Sequence, residues 1–364
     1  METSQHNGSS FNGVVAIGPL VGLPSSNWVG EDIANYLLDN GVQVIKFDNY
    51  KSPIEADYII IVKVMPDMDW LQAHVKQRIR ILYAPVDIFY AYSEYWRYKY
   101  RLKLFSGLLI HNERLGKLVK NTTTAPQFFI EHYLKYKITT REIDLESREL
   151  LWVGHLEYIP SLLSFLKSAK PQFTVRALSD INQLPHYENY LQESFKNLNI
   201  TYSVEEKSAQ SLRISGILIE QWSEEKQQSL MQSCVAAFDT KLDSFAHNLK
   251  PPTKAQQFVF NNIPFACSEH SYSYEYFNNI GMPVASLDEL DLLASNDYRQ
   301  RTDDFNISNK WRVEINSVAN SYLTACTQAK LPTIRFWAFY NIMNFICDKI
   351  ALLLKLVNKI KMKL

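Results

Sequence analysis

Short apolar runs alternate with helix-length amphipathic stretches through the first third of the chain. VVAIG (Val14–Gly18), VQVIKF (Val42–Phe47), YIIIVKV (Tyr58–Val64), IRILYAP (Ile79–Pro85), LLIHN (Leu108–Asn112) and PQFFIE (Pro126–Glu131) read as strands. Between the first two, EDIANYLLDNG carries a helical period and ends at Gly41, a residue suited to closing a helix. The strand runs show no polar alternation, so both faces of the sheet are buried. That predicts a parallel sheet with helices on either side.

The pattern breaks at the charged segment KITTREIDLESR (Lys137–Arg148), which reads as an interdomain linker. A second series follows: ELLWVG (Glu149–Gly154), FTVRAL (Phe173–Leu178), ITYSV (Ile200–Val204), CVAAFD (Cys234–Asp239) and IPFAC (Ile263–Cys267). The expected architecture is α/β, two tandem Rossmann-like domains at 1–145 and 146–331 with a cleft between them, followed by a helical tail at 332–364. Nucleotide-sugar transferases, sugar epimerases and periplasmic-type binding proteins all share such an architecture.

Composition narrows this. The 364 residues are 46% hydrophobic and 21% charged, with 38 basic and 38 acidic side chains. A neutral balance gives no nucleic-acid footprint. Cys234, Cys267, Cys326 and Cys347 are widely spaced, without metal-ligand spacing, and read as buried thiols in a reducing compartment. The first residues, METSQHNGSSFNG, have no apolar signal core, which disfavours an exported binding protein.

The densest chemistry lies in KPPTKAQQFVFNNIPFACSEHSYSYEYF, Lys250–Phe277. A strand (CVAAFD) leads through a Pro-Pro loop to a helix beginning beside Lys254, and Ile263-Pro264 opens the next strand. A helix N-terminus attracts phosphate through unpaired N–H groups and its dipole, and a lysine in the first turn adds a mobile positive charge. This segment resembles the donor-binding core of GT-B glycosyltransferases, among them bacterial nucleotide-sugar transferases of families 1 and 4. Aligned on Pro264, Lys254 falls on the family lysine and Phe258 on the aromatic position. Gln257 stands where a ribose-binding glutamate is usual, and Asn262 where a glycine is usual.

A second resemblance is LLWVGHLEY, where the family has a strand ending in V-G-R-L and a lysine farther on. Here Gly154 keeps the point of close backbone approach, His155 stands at the arginine position and Pro160 at the lysine position. Leu249 and Gln257 occupy the positions of two glutamates, so the chain departs from the large retaining class. Ser271, Tyr272 and Ser273 follow IPFAC and would cradle the second phosphate by backbone N–H groups.

The N-terminal half would hold the acceptor. Its glycine-containing loop GPLVGLPSSNWVG offers Gly18, Gly22 and Ser25 for close approach. In YAPVDIFYAY, Asp87 is placed to act as general base, to position the acceptor, or to cap the following helix. Asn112 takes the place of a family serine. The one DxD, Asp67-Met68-Asp69, reads as helix-start carboxylates, so neither metal nor cofactor is implied.

The tail is amphipathic. Ile350, Leu353, Leu354 and Val357 share one helical face and Lys355, Lys359 and Lys363 another, with Trp337 and Tyr340 as headgroup-level aromatics. Membrane-surface contact and packing across the two domains are the alternatives. The resemblance implies transfer of a sugar from a nucleotide-diphosphate donor to a glycan or lipid-linked hydroxyl acceptor. The catalytic candidates are Asp87 and His155, in a cytoplasmic protein at the inner face of the plasma membrane. The loss of the family glutamates, arginine and second lysine also fits a non-catalytic scaffold or partner subunit. An epimerase would need carboxylates and histidines converging on a sugar.

Overall fold

The computed structural model describes residues 11–23, 26–139, 141, 148–169 and 172–361, without the side chains of 358–361. It resolves into two compact α/β units. One comprises residues up to Tyr133 together with Arg312–Leu364, the other Leu134–Trp311.

The first unit begins with β1 (Val15–Gly18), α1 (Asp32–Asp39), β2 (Val44–Lys46), β3 (Tyr58–Val62), α2 (Met68–Lys76), β4 (Arg80–Ala84), α3 (Tyr92–Tyr98), β5 (Gly107–Ile110), α4 (Glu113–Lys120) and β6 (Gln127–Phe129). The six strands are parallel in the order β2-β1-β3-β4-β5-β6. Each apolar run of the sequence becomes one strand. All five residues of β3 are buried, as a sheet covered on both faces requires. Helix α1 stops where expected. Gly41 takes φ +81°, and the Gly41 and Val42 amides donate to the carbonyls of Leu38 and Leu37. Asn112 caps α4, its Oδ1 accepting from the amides of Arg114 (2.7 Å) and Leu115 (3.2 Å).

The second unit contains β7 (Glu149–Val153), α5 (Ile159–Ala169), β8 (Thr174–Ser179), α6 (Leu184–Asn197), β9 (Val204–Lys207), β10 (Ser211–Ile214), β11 (Ile217–Gln221), α7 (Glu224–Ser233), β12 (Ala236–Asp239), α8 (Phe245–Asn248), α9 (Thr253–Val259), β13 (Phe265–Cys267), α10 (Tyr272–Asn279), β14 (Ala285–Ser286) and α11 (Asn296–Asn309). Strand order is β14-β13-β12-β7-β8-β11-β10-β9. The strand expected at Ile200–Val204 begins only at Val204. A hairpin was missed beside it: β10 and β11 pair antiparallel across Ser215-Gly216, at φ +49° and +88°. Two successive positive φ values give a turn whose twist suits a two-residue hairpin. The sheet is therefore parallel only from β14 to β11.

Two helices close the chain, α12 (Ile315–Gln328) and α13 (Trp337–Lys361). Their placement departs from the expected division at 145, 331 and 332–364. Val318, Ala319, Tyr322, Ala325 and Cys326 of α12 are part of the first unit's core, and the Tyr322 hydroxyl donates to the Val29 carbonyl at 2.9 Å. Helix α13 lies on α3 of the same unit. The described part of the expected linker is likewise committed to the second unit. Ile138 N–H donates to Asn261 Oδ1 (2.8 Å), and the Arg141 guanidinium donates to the carbonyls of Asn262 and Cys234. All four cysteines are buried free thiols. No helix of the described residues is long and apolar enough to cross a membrane.

Candidate functional site

In the second unit the chain runs from β7 to β8 on one side and from β12 to β13 on the other, so strand order reverses between β7 and β12. Such a reversal leaves room beyond the carboxyl ends of the two strands, where α/β sheets bind ligands. Strand β12 ends there in Asp239, which is 3% exposed, followed by Thr240 and Lys241. Strand β7 ends beside it in Val153, followed by Gly154 and His155.

Three lysines converge at this end. Lys254 Nζ lies 2.7 Å from Asp239 Oδ1, and Lys241 Nζ lies 3.5 Å from Asp239 Oδ2. Lys250 Nζ donates to the Tyr158 hydroxyl and stands 3.9 Å from Glu157. Lys250 is 5.2 Å and Lys254 5.9 Å from the centre of the Tyr158 ring, and Lys254 is 5.8 Å from Trp152. The ring faces help hold the ammonium groups in place. His247 completes the group, its ring 5.1 Å from Tyr158 and its Nδ1 2.7 Å from Ser244 Oγ.

Charges this close shift one another. Burial pushes Lys254 below the ordinary lysine range; Asp239 opposes this and Lys241 adds to it. Burial and the Lys250 charge lower His247, which is therefore neutral at pH 7. Two buried groups beside the lysines have no protein hydrogen-bond partner: the Trp152 indole N–H and the Thr240 hydroxyl, in residues 0% and 1% exposed. Buried polar groups are ordinarily satisfied. Three cations, two of them sharing one carboxylate, with two unengaged hydroxyl and indole groups suit an oxyanion.

The donor-side candidates divide. Lys254 is in this cluster. His155 is exposed at its rim, with its carbonyl accepting the Tyr158 amide (3.0 Å) and its ring 6.3 Å from the Tyr158 ring. Gly154 is demanded by packing, because a Cβ there would lie 2.5 Å from the Trp152 indole. Gln257 must be corrected. It is 2% exposed, and its Oε1 accepts the Tyr136 amide at 3.1 Å, tying residues after Tyr133 to α9. Ser271, Tyr272 and Ser273 are also turned inward at 1–3% exposure, with Ser271 Oγ capping α10 through the Tyr274 amide (3.3 Å). Their side chains are structural. Asp239, Lys241 and Lys250 were missed, although a carboxylate closing the strand CVAAFD and two lysines in the loop after it were the available signal.

The remaining candidates belong to the first unit. Gly18 ends β1 where a Cβ would meet the Phe47 carbonyl oxygen at 2.2 Å, so this glycine too answers to packing. Gly22 is exposed at φ +70°, and Ser25 lies outside the described residues. Asp87 follows β4 at φ +50°, half-buried, with its Oδ1 lacking a hydrogen-bond partner. It does not cap α3, whose first residue is preceded by Ala91 without a side-chain cap. Asp67 immediately precedes α2 and Asp69 lies in its first turn, as their reading as helix-start carboxylates requires.

One histidine at the same end of this sheet was overlooked. His111 directly follows β5, is 4% exposed, and shares its Nδ1 with the Ile130 carbonyl at 2.8 Å. A carbonyl only accepts, so the proton sits on Nδ1 and Nε2 keeps its lone pair, with no hydrogen-bond partner. Burial pushes His111 down to about 4. His132 packs edge-on against it, ring centres 4.5 Å apart.

No family profile and no curated protein matches the sequence. Solved structures do match. A glycosyltransferase from Rickettsia africae superposes with TM-score 0.55 at 10% identity, over 86% of this chain and 97% of that one. Anabaena HepE, crystallised with UDP and glucose, gives 0.54 at 10% over 86% and 98%. AviGT4, a glycosyltransferase involved in avilamycin A biosynthesis, gives 0.51 at 9% over 87% and 97%. At such identities the likeness is one of fold: the chain has the fold of GT-B glycosyltransferases.

Proposed function

We propose that the chain is a glycosyltransferase that moves a sugar from a nucleotide-diphosphate donor to a hydroxyl acceptor. The observation that carries the reading is the convergence of Lys241, Lys250 and Lys254 beyond β7 and β12, beside the unpartnered Trp152 and Thr240 groups. Held lysines stabilise the charge that grows on a leaving diphosphate without having to reorganise, so the cluster works as a preformed electrostatic clamp. His155 contacts the diphosphate from the rim. No step is assigned to a metal ion or cofactor.

Asp87 is the acceptor-side residue in this reading, its unengaged carboxylate oxygen accepting from the attacking hydroxyl. The acceptor is a glycan or a lipid-linked compound of cell-surface polysaccharide or glycolipid synthesis. Residues 332–364 hold the enzyme at the inner face of the plasma membrane. HepE, of the same fold and crystallised with UDP-glucose, supports the choice of donor class.

One observation favours a non-catalytic subunit instead: Gln257, at the position of the family's ribose-binding glutamate, is consumed by the Tyr136 amide. A thermal-shift screen with UDP, GDP and dTDP and their sugars separates the two. Ligand at 100 times Kd stabilises by about 2.7 kcal/mol. Stabilisation that vanishes in Lys254→Ala, with donor hydrolysis or transfer by the unaltered chain, is the expected result. Neither binding nor turnover across the panel would leave the subunit reading.

A further inference from the structure

Helix α13 is docked with its polar side inward. Asn344, Cys347 and Ala351 are buried at 7%, 4% and 1% exposure, and the half-buried Asp348 lies with them. Asp348 pairs with Arg101 (2.9 Å) and Arg97 (3.0 Å), while Asn344 accepts from Arg101 (3.1 Å). Gln72 bonds Asn341, and Lys355 reaches Glu94 at 3.0 Å. The two aromatics expected at a headgroup interface are turned to the protein: Trp337 stacks under Lys76, and Tyr340 lies edge-on to Tyr100.

The apolar side therefore faces outward. Phe339, Ile342, Phe345, Ile350, Leu353 and Val357 are each 45% exposed or more. With Leu352 and Leu354, 54% and 43% exposed, the exposed apolar positions span about 200° of the helix circumference at 3.6 residues per turn. A coiled-coil partner covers only a narrow seam of two positions in seven, so a second copy would leave most of this face wet. A planar apolar phase covers all of it. On and before the neighbouring helix α3, Tyr90, Tyr92 and Trp96 are also exposed, at 62%, 53% and 38%. Lys99 and Lys103 lie over the rings of Trp96 and Tyr100. Residues 332–364 hold six basic side chains and one acidic, Asp348, in a chain whose totals balance at 38 and 38.

We infer that α3 and α13 form one composite platform that seats on an anionic lipid surface, with the Asp348–Arg97–Arg101 network fixing the apolar face outward. The inference rests on the assignment of the tail to a membrane surface. It adds α3 as half of the contact and negative headgroup charge as the requirement. Apolar side chains enter the headgroup–acyl boundary while lysines meet the headgroups.

The test is sedimentation of the full chain with phosphatidylcholine vesicles, with and without phosphatidylglycerol. Binding should be roughly tenfold or more stronger to the anionic vesicles and should weaken with salt. Phe345→Ser with Leu353→Ser, and separately Tyr92→Ser with Trp96→Ser, should each weaken it by roughly tenfold. These side chains are exposed, and circular dichroism verifies folding. Hydrogen exchange of vesicle-bound protein gives a readout free of variants: protection should rise at residues 90–103 as well as 337–361. Loss in the tail variant alone, with exchange at 90–103 unchanged, overturns the composite platform and leaves the tail assignment standing. Equal binding to neutral vesicles overturns the charge requirement. No vesicle binding by the unaltered chain, or self-association through this face in its place, overturns both.

Discussion

Lys254 Nζ is held 2.7 Å from Asp239 Oδ1, so the lysine picked out as a phosphate ligand is already fixed by a buried carboxylate. A carboxylate at 3% exposure is costly unless paired. The strand end therefore stabilises the lysine's position before any ligand arrives, and Lys241 on the other carboxylate oxygen keeps the local charge positive. Pre-positioning of this kind lowers the ordering cost of binding.

Lys254→Ala should accordingly act twice. It removes a phosphate contact and leaves Asp239 with Lys241 alone, at a cost of about 1–3 kcal/mol for a partly exposed pair. Urea unfolding without ligand should show that loss, and nucleotide diphosphates should no longer raise Tm. Full nucleotide-linked stabilisation in the variant would remove Lys254 from the site.

Gly154→Ala should destabilise by about 1–3 kcal/mol through overpacking, since the new methyl meets the Trp152 ring. Trp152→Leu in the same background should restore part of it. Additive losses in a double-mutant cycle would show that the indole is not what demands glycine there.

Gln257→Ala leaves the buried Tyr136 amide without its acceptor. An orphaned buried donor costs about 1–3 kcal/mol. Chemical denaturation should register this while nucleotide affinity stays level. Unchanged stability with lost nucleotide binding would return Gln257 to the ligand.

Acid should weaken the first unit through His111. Burial keeps its folded value near 4, below the ordinary 6.5, and lowers His132 as well. The unfolded chain therefore binds the protons first. The stabilisation is whole above about pH 6.5 and is lost as pH falls toward 4, by about 3 kcal/mol for His111. His111→Phe should flatten the fall of urea midpoint over that range relative to the unaltered chain; parallel curves would refute the assignment.

How much of this was legible varies by residue. Six apolar runs in the first unit became six strands, and the four inner ones, β1, β3, β4 and β5, are covered on both faces as their continuous apolar sequence requires, while the edge strands β2 and β6 stay largely exposed. Lys254 was legible from the Pro-Pro loop and the helix start beside it. Asp239 was not picked out, because a carboxylate ending an apolar strand becomes informative only when Lys241 and Lys254, in the loop and helix that follow, are seen to turn back onto it. Ser271 and Gln257 looked equally available to a ligand, yet their polar atoms were spent on Tyr274 and Tyr136. His111 was hidden because a lone histidine after a strand carries no sign of which nitrogen is engaged.

The order of apolar and helical segments alone determined an α/β chain with two sheets, and the spacing of Ile350, Leu353, Leu354 and Val357 determined an amphipathic last helix. Only the tertiary structure decided that α12 completes the first unit's core and that α13 turns its polar side to the protein. Periodicity divides a helix into two faces without saying which meets the protein. That choice fell to Arg97 and Arg101, far away in sequence, whose guanidinium groups found their carboxylate at Asp348.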